Sequence, residues 1–334
     1  RQMYVGMTRA KHTLRLSYTS NVGTASKVPT EFITNIQDML EKESEPFTYD
    51  INSFWQERTK SLLKRDYDYN RDFCSMVDNR ILGKAFSPSS INTYLNCPRQ
   101  YLYDYILGLR AKDGNPDNLS FGSAVHCALE YAVKIALETN NYPTEQDFIN
   151  TFKNKLENLP LSSYEQREIL QIRGQKALTE YYTQLCNTPV SVLRTVEQPV
   201  KFEMDGVKFY GIIDRIDKNS DGTYTIYDYK TGNAKTNRQI CPDGEYENYY
   251  NQMGLYKYYF EKSTGKKVTE TIFIFPEDYS KNLTLNLTDE DCLEIENKFK
   301  TAISNIKSYN FEPTYKKDAC KHCQYKDFCN MEII

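Results

Sequence analysis

The chain has 334 residues, 40% of them apolar and 26% charged, which is enough apolar material for one large domain or two modules. No stretch reaches the roughly 18 consecutive apolar residues of a membrane-spanning helix, so a membrane span is excluded. The net charge of −3 gives no global argument for nucleic-acid binding, but it does not exclude a local basic patch. The chain begins Arg-Gln-Met without a signal-peptide pattern, which predicts a cytoplasmic fragment of a longer protein.

The first 85 residues carry weak structural signals. The alternation from Leu14 to Tyr18 predicts a strand, and the apolar spacing that follows Pro29 predicts a helix through Leu40. We interpret residues 21–85 as a partly helical connector, and a small helical subdomain is the alternative.

The signals sharpen from residue 86. Ser87 and Pro88 form a helix start, and helical spacing continues past Cys97 to Tyr105. Residues 110–119 are predicted to form a loop. Hydrophobic periodicity then predicts helices over 121–139, 145–157, 164–186, 246–262 and 288–307, and strands over 196–204, 207–217, 223–230 and 268–275. The pattern indicates a mixed α/β domain over residues 86–334.

Charged side chains lie on a predicted hairpin whose turn runs from Asn219 to Gly222. Strand alternation puts Asp214 on one face of the first strand, and Asp228 and Lys230 together on one face of the second. Two carboxylates are oxygen ligands for Mg²⁺ or Mn²⁺, and a lysine can orient a water or stabilise transition-state charge. The spacing is typical of phosphodiester hydrolysis, and an ordinary Asp–Lys pair on a surface hairpin is the alternative.

His126 is one of three histidines and lies mid-helix, with Glu130 four residues later on the same face. A lone helical histidine is usually a core or surface residue. Because this one precedes an acidic hairpin, it is a candidate third metal ligand.

The chain has nine cysteines, an odd number that argues against a disulfide framework. Three of them, Cys320, Cys323 and Cys329, lie within ten residues, which is a metal-binding spacing. The candidates for a fourth ligand are Cys74, Cys97, Cys127, Cys186, Cys241, Cys292 and His322. By spacing alone, a zinc site with His322 is credible.

Four motifs follow one another along the chain. They are Gly122-x3-His126-x3-Glu130, Gly211-x2-Asp214-x2-Asp217, Asp228-x-Lys230 and Gln252-x3-Tyr256. From about Ser87 to Cys329 the chain resembles the PD-(D/E)XK nuclease superfamily, in the RecB-like branch that includes RecB, AddB and CRISPR-associated exonucleases. The resemblance implies a restriction-endonuclease-like α/β core, with a central sheet flanked by helices. It also implies a metal-dependent DNA nuclease, an exonuclease on single strands or DNA ends.

The resemblance further implies residue roles. The implied catalytic residues are Lys230, Asp214, Asp228, His126, Gln252 and Tyr256. The implied ligands of Mg²⁺ or Mn²⁺ are His126, Asp214, Asp228 and the carbonyl of Tyr229. Lys230 would be the catalytic lysine, while Gln252 and Tyr256 would contact a substrate phosphate or position the lysine. Glu130 and Asp217 would support the ligands or have no role in the site.

Some members of the same branch carry a [4Fe–4S] cluster on a distant first cysteine and a C-terminal C-x2-C-x5-C sequence. The resemblance therefore implies a cluster on Cys97, Cys320, Cys323 and Cys329, with Zn²⁺ as the alternative. The cluster would tie the first helix of the domain to its last segment. The other five cysteines would be ordinary thiols.

Residues 4–11 read YVGMTRAK and resemble the last motif of UvrD-type superfamily 1 helicases, in which Arg9 would reach the nucleotide γ-phosphate. The phosphate-binding sequence G-x4-G-K-[ST] is absent, so we expect no ATPase activity from this chain alone. The two resemblances predict a helicase remnant over 1–20, a connector over 21–85 and a nuclease domain over 86–334. The implied partner is a helicase motor, in the same full-length chain or a second subunit, acting in DNA repair or recombination.

A DNA substrate requires local phosphate contacts on this slightly acidic chain. The candidates are Arg99, Arg110, Lys112, Lys230, Lys235 and Arg238. Tyrosines at 246, 249, 250, 256, 258 and 259 are candidates for base stacking, although packing with the hydroxyl at the rim is the commoner role. The alternative function is a nuclease-like module that clamps DNA without cleaving it.

Overall fold

The computed structural model describes residues 7–12, 14, 16, 21–22, 25–26, 31–41, 69–109, 116–204, 206–314, 317–321, 323–326 and 329. The chain divides into two compact units, Arg1–Tyr67 and Asp68–Ile334. No helix within the described ranges is both long and apolar enough to cross a lipid bilayer.

The N-terminal unit is described in part. Its regular elements are the paired strands Asn21–Val22 and Ala25–Ser26, the helix Glu31–Thr34 and the 3-10 turn Gln37–Met39. The helix predicted to run through Leu40 is therefore shorter than expected. Arg9 is exposed in a turn, while most of the predicted strand from Leu14 to Tyr18 lies outside the described residues.

The second unit is built on a five-stranded mixed sheet. Its strands are β1 (Leu193–Met204), β2 (Val207–Lys218), β3 (Tyr224–Tyr229), β4 (Val268–Ile274) and β5 (Leu283–Leu285). They lie side by side in chain order, and all neighbours are antiparallel except β3 and β4, which are parallel. Parallel neighbours require a crossover connection, and a helix between them supplies it.

Helices flank this sheet, as the predicted architecture requires. They are α1 (Tyr69–Ile81), α2 (Pro88–Asn96), α3 (Pro98–Tyr101), α4 (Pro116–Thr139), α5 (Glu145–Glu157), α6 (Tyr164–Cys186), α7 (Asn237–Ile240), α8 (Glu247–Thr264), α9 (Asp289–Lys307) and α10 (Lys317–Lys321). The side chains of Thr144, Ser163 and Thr288 accept hydrogen bonds from N–H groups in the first turns of α5, α6 and α9. These caps satisfy groups that a helix start leaves unpaired, and they fix the predicted starts.

The helical stretch predicted from Ser87 to Tyr105 is interrupted at Cys97. Cys97 has an extended backbone, with φ −157° and ψ 113°, because Pro98 disfavours the helical conformation in the residue before it. The chain continues as α3 and a π-helical turn, Leu102–Ile106. Cys97 consequently lies at the junction of α2 and α3.

The loop predicted over 110–119 is wrong in its second half, because α4 begins at Pro116. A proline fits the first turn of a helix. Asp117 accepts hydrogen bonds from the backbone N–H and the hydroxyl of Ser162, at 2.7 and 2.6 Å. A contact distant in sequence therefore orders this turn. Strand β5 was not predicted, because a strand of three residues is too short to show a clear alternation of apolar and polar side chains.

Apolar side chains cover both faces of the sheet. On one face Ile216 and Ile226 pack with α2, α8 and α9, and on the other Tyr229 and Ile274 pack with α4, α5 and α6. Helix α1, which falls in the predicted connector, contributes Val77 to the first core. The end of β3 thus lies between helices on both faces, which is where the candidate site is found.

Candidate active site

The two predicted carboxylates lie on adjacent strands. The pairing of Arg215 with Tyr227 continues toward the end of β3 and places Asp214 beside Asp228. Asp214 is 9% exposed, and its Oδ2 accepts a hydrogen bond of 2.7 Å from the Tyr229 backbone N–H. Asp228 is only 3% exposed. Burying two carboxylates side by side is costly unless each is paired or binds a cation.

Helix α4 brings His126 to the same place. Its Nε2 lies 2.9 Å from the Tyr229 carbonyl oxygen, and its Nδ1 lies 3.5 Å from Asp214 Oδ1. Gly122, one turn earlier, permits this approach, because a Cβ there would lie 3.3 Å from the Thr231 hydroxyl. One helix and two strands therefore bring His126, Asp214 and the Tyr229 carbonyl into contact, with Asp228 on the neighbouring strand.

The donor atoms of this site fit a divalent cation. Imidazole nitrogen together with carboxylate and carbonyl oxygens suits small divalent ions. Asp228 Oδ2 is buried, and an ion bound at this site would share that oxygen with the Lys230 ammonium 2.8 Å away. The 2.9 Å between His126 Nε2 and the Tyr229 oxygen matches adjacent ligands of an octahedral ion with bonds of about 2.1 Å.

Lys230 follows β3 directly. Its Nζ lies 2.8 Å from Asp228 Oδ2, in an ion pair, and donates to Gln252 Oε1 at 3.2 Å. The same Nζ lies 4.6 Å from the centre of the Tyr249 ring. Gln252 donates in turn from Nε2 to the Tyr256 hydroxyl at 3.2 Å. The structure thus connects the predicted lysine, glutamine and tyrosine in one chain of polar contacts.

Helix α8 lies tightly against β2 at Gly211. A Cβ at this position would lie 2.7 Å from the nearest ring carbon of Tyr256. Tyr256 is 4% exposed, and burial raises its pKa to about 12, so its hydroxyl is protonated at neutral pH. The glycine in the second motif therefore sets the distance between the sheet and the helix that holds Gln252.

The charges of the site perturb one another. Burial raises the pKa of Asp228, partly opposed by the charge of Lys230. Burial would lower the pKa of Lys230, but the charge of Asp228 outweighs burial and raises it, so the lysine is charged. Burial would likewise lower the pKa of His126, but the hydrogen bond and charge of Asp214 outweigh burial and raise it. A bound cation would oppose this effect of burial and favour the charged form of the carboxylates.

Glu197, in β1, is a site residue that sequence reasoning missed. One of its carboxylate oxygens, a ring nitrogen of His126 and an oxygen of Asp214 all lie within 4.8 Å of one another. Burial and the charges of Asp214 and Glu130 raise the pKa of Glu197 to about 7. No motif marks this residue, because its place depends on the pairing of β1 with β2.

Glu277 is a second residue that the sequence did not reveal. Its Oε2 accepts a hydrogen bond of 2.5 Å from the Gly232 backbone N–H. Arg173 of α6 donates to both carboxylate oxygens, at 2.5 and 2.9 Å. This contact fixes the turn directly after Lys230 to helix α6.

The structure separates Glu130 and Asp217 from the His126–Asp214 contact. Asp217 pairs with Arg215 on the opposite face of β2, and each side chain is 3% exposed. Glu130 pairs with Lys134, one turn further along α4. Asp217 therefore neutralises a buried arginine in the core, and Glu130 lies at the edge of the site.

The four cysteines predicted to hold a cluster line one cavity of about 70 Å³, and they are Cys97, Cys320, Cys323 and Cys329. Arg99 donates to the Phe311 carbonyl at 2.9 Å, and the rings of Tyr103 and Tyr325 pack at 4.9 Å. These contacts join the α2–α3 region to the C-terminal segment around the cavity.

The remaining five cysteines do not line this cavity; they are Cys74, Cys127, Cys186, Cys241 and Cys292. Cys292, for example, is buried in the core, where burial raises its pKa to about 12. His322 lies outside the described residues.

The candidate DNA contacts are distributed unevenly. Arg99 lines the cysteine cavity, and Arg110 and Lys112 lie outside the described residues. Lys235 lies 4.3 Å from the centre of the Tyr246 ring, and Arg238 is exposed on α7. All six tyrosines between 246 and 259 pack in or against the core, two of them buried and four partly buried, and a role in base stacking stays a prediction.

Two bacterial relatives share part of this sequence. The chain is 28% identical over 173 residues to a subunit of the ATP-dependent helicase/deoxyribonuclease of Streptococcus agalactiae, a match that covers 47% of this chain and 15% of that protein. The corresponding protein of Streptococcus uberis is 25% identical over 153 residues, covering 44% and 14%. The match therefore spans only a small part of these relatives' length.

Fold and family comparisons cover more of the chain. A solved structure from Eubacterium rectale, which carries the name "Putative exonuclease", has a TM-score of 0.46 and 15% identity over 78% of this chain and 91% of that one. Residues 85–330 match the model of the PD-(D/E)XK nuclease superfamily, whose members use divalent metals. The chain therefore belongs to the PD-(D/E)XK nuclease superfamily.

Proposed function

We propose that this chain is a Mg²⁺- or Mn²⁺-dependent deoxyribonuclease, an exonuclease that hydrolyses phosphodiester bonds in single-stranded DNA or at DNA ends. The observation that carries the proposal is the convergence of the two buried carboxylates with His126 and Lys230 at the end of β3. An ordinary surface hairpin would leave its Asp–Lys pair in solvent. Family membership supports hydrolysis, and the names of the streptococcal relatives support DNA as the substrate.

Four groups would hold the metal ion: a ring nitrogen of His126, the carboxylates of Asp214 and Asp228, and the carbonyl of Tyr229. Asp214 also accepts the Tyr229 N–H, so the same residue orients both the carboxylate and the peptide that carries the carbonyl. When bound, the ion would supply a Lewis acid that polarises a phosphoryl oxygen and lowers the pKa of a water.

Lys230 would supply positive charge at a fixed point beside the ion. Asp228 keeps the ammonium charged, and Gln252 restricts its direction. Because the Tyr256 hydroxyl accepts from Gln252 Nε2, the other end of the amide, Oε1, faces the lysine. Gln252 and Tyr256 would therefore act on the reaction by positioning Lys230, which can orient a water or stabilise charge on the phosphate.

We propose a [4Fe–4S] cluster in the cysteine cavity. No three of its four thiols, all within the described residues, have sulfurs within 4.8 Å of one another. The sulfurs of a tetrahedral zinc site with bonds of about 2.3 Å would lie only about 3.8 Å apart. A cluster places iron and sulfide between its thiolates, so the wider spacing favours it over Zn²⁺.

We propose that a helicase motor delivers the DNA, either in the same full-length chain or as a second subunit, during repair or recombination. The helicase-like sequence around Arg9 and the names of the relatives support this partner. In this proposal residues 1–20 belong to the motor, 21–85 connect it, and 86–334 form the nuclease domain, with helix α1 of the connector packed into the core of that domain.

The test is a time course with the full chain and two substrates, end-labelled linear and circular single-stranded DNA, each in MnCl₂ and in EDTA. We expect degradation of the linear DNA in MnCl₂, protection in EDTA, and survival of the circle. Cleavage of the circle would contradict the preference for ends. Binding of both DNAs without cleavage in MnCl₂ would contradict the nuclease and favour the clamping module.

A further inference from the structure

Glu197 occupies a position in the sheet that faces the proposed ion. In the pairing of β1 with β2, Gln198 opposes Ile213 and Val196 opposes Arg215. Glu197 is therefore the cross-strand neighbour of Asp214. This register explains why its carboxylate converges with Asp214 and with the ring of His126 to within 4.8 Å.

The backbone of Glu197 is unusual for a strand. Its φ is +50°, and it is the one non-glycine residue with positive φ inside a strand of the described structure. The other three such residues, Asn140, Asp243 and Tyr309, lie between elements. Left-handed backbone is unfavourable for a glutamate, and it persists where the surrounding structure holds a functional geometry.

The carboxylate of Glu197 forms no ion pair or hydrogen bond with a cation in the described part of the chain. The charges of His126 and Lys134 act on it from α4, and Lys134 pairs with Glu130. Asp214, the cross-strand neighbour of Glu197, is itself only 9% exposed. A divalent cation would satisfy both carboxylates at once.

We propose that Glu197 is a further ligand of the divalent cation, on the side of the site formed by His126 and Asp214. This assignment rests on the proposed metal-dependent function and extends its ligand set by one carboxylate from β1. An extra carboxylate raises the affinity of an oxygen-rich site for Mn²⁺ or Mg²⁺ through added charge.

The test is calorimetric titration of the full chain with MnCl₂ in the absence of DNA. We expect Glu197→Gln to weaken Mn²⁺ binding at least about tenfold, because glutamine keeps the size but removes the charge. The matched control is Glu203→Gln, which removes an exposed glutamate from the same strand and should bind Mn²⁺ like the wild type.

A second measurement separates ligation from structural support. In EDTA, the Tm of Glu197→Gln should equal or exceed that of the wild type, because a negative charge beside Asp214 is removed. Unchanged Mn²⁺ affinity would overturn the assignment of Glu197 alone. Weaker binding together with a lower Tm in EDTA would also overturn it, because it would show a structural role. A wild-type protein that binds no Mn²⁺ would overturn the proposed function as well.

Discussion

The two candidate sites of this protein are held together in different ways. At the end of β3 the site residues bond to one another: Asp214 accepts the Tyr229 N–H, and Lys230 donates to Gln252. In the cysteine cavity the Cys320 thiol donates weakly to the Thr314 backbone, at 3.6 Å. The first site is thus preorganised by strand pairing, whereas the second brings together chain segments more than 200 residues apart.

This difference predicts opposite responses to loss of the bound group. Removing a cation from the first site leaves strand pairing and hydrogen bonds in place, so the fold should persist. Removing a cluster from the second would leave contacts such as Arg99 with Phe311 but remove the covalent link between the C-terminal segment and the α2–α3 junction, so stability should fall.

The largest effect on stability is expected from Cys97→Ser. Loss of a link across so long a loop should lower the free energy of unfolding by roughly 4–5 kcal/mol, a chain-entropy figure. Urea unfolding measures the loss, and the broad visible absorbance that a cluster would give the wild type should be absent from the variant. The matched control is Cys127→Ser, a half-buried thiol outside the cavity. A colourless wild-type protein with stoichiometric zinc would contradict the cluster.

A smaller effect is expected from Gly211→Ala in the first site. The added methyl group would meet the Tyr256 ring at 2.7 Å, so α8 must shift and the free energy of unfolding should fall by about 1–3 kcal/mol. In a Tyr256→Ala background the same substitution should lower the free energy of unfolding by less, because the ring that the methyl group would meet is absent. Equal costs in the two backgrounds would show that the ring does not limit this position.

The smallest effect is expected from the titration of Glu197. Its pKa in the folded protein is raised to about 7, above the ordinary value of 4.5, so folding favours the protonated form. In EDTA this contribution to stability should be present below that ordinary value and be lost as the pH rises through about 7. The Tm of the wild type should therefore fall more than that of Glu197→Gln between about pH 6 and pH 8. Parallel Tm curves would contradict the raised pKa.

Local patterns predicted much of this fold, because local interactions decide those elements. Helices α5 and α6 begin after the caps Thr144 and Ser163, and their periodicity extends to their ends. The start of α4 could not be predicted, because its first turn is ordered by Ser162, 45 residues away. The break at Cys97 was visible as a proline, but the helical spacing beyond it obscured the interruption.

Some residues of the candidate site were likewise predictable from local patterns, and others were not. Motif spacing predicted that Asp214, Asp228 and Lys230 lie together, because strand alternation and one hairpin suffice to place them. Glu197 and Glu277 could not be found by spacing. The first depends on the register between β1 and β2, and the second on a contact with Arg173. The roles of all these residues stay predictions until variants are measured.

The central claim is that the carboxylates at the end of β3 support metal-dependent cleavage of DNA. The most direct measurement compares the wild type, Asp228→Asn and the exposed control Asp221→Asn on end-labelled single-stranded DNA in MnCl₂. We expect Asp228→Asn to lose at least about a hundredfold in cleavage rate while its circular dichroism and iron absorbance match the wild type. The Asp221→Asn control should cleave like the wild type. Cleavage at the wild-type rate by Asp228→Asn would contradict the account.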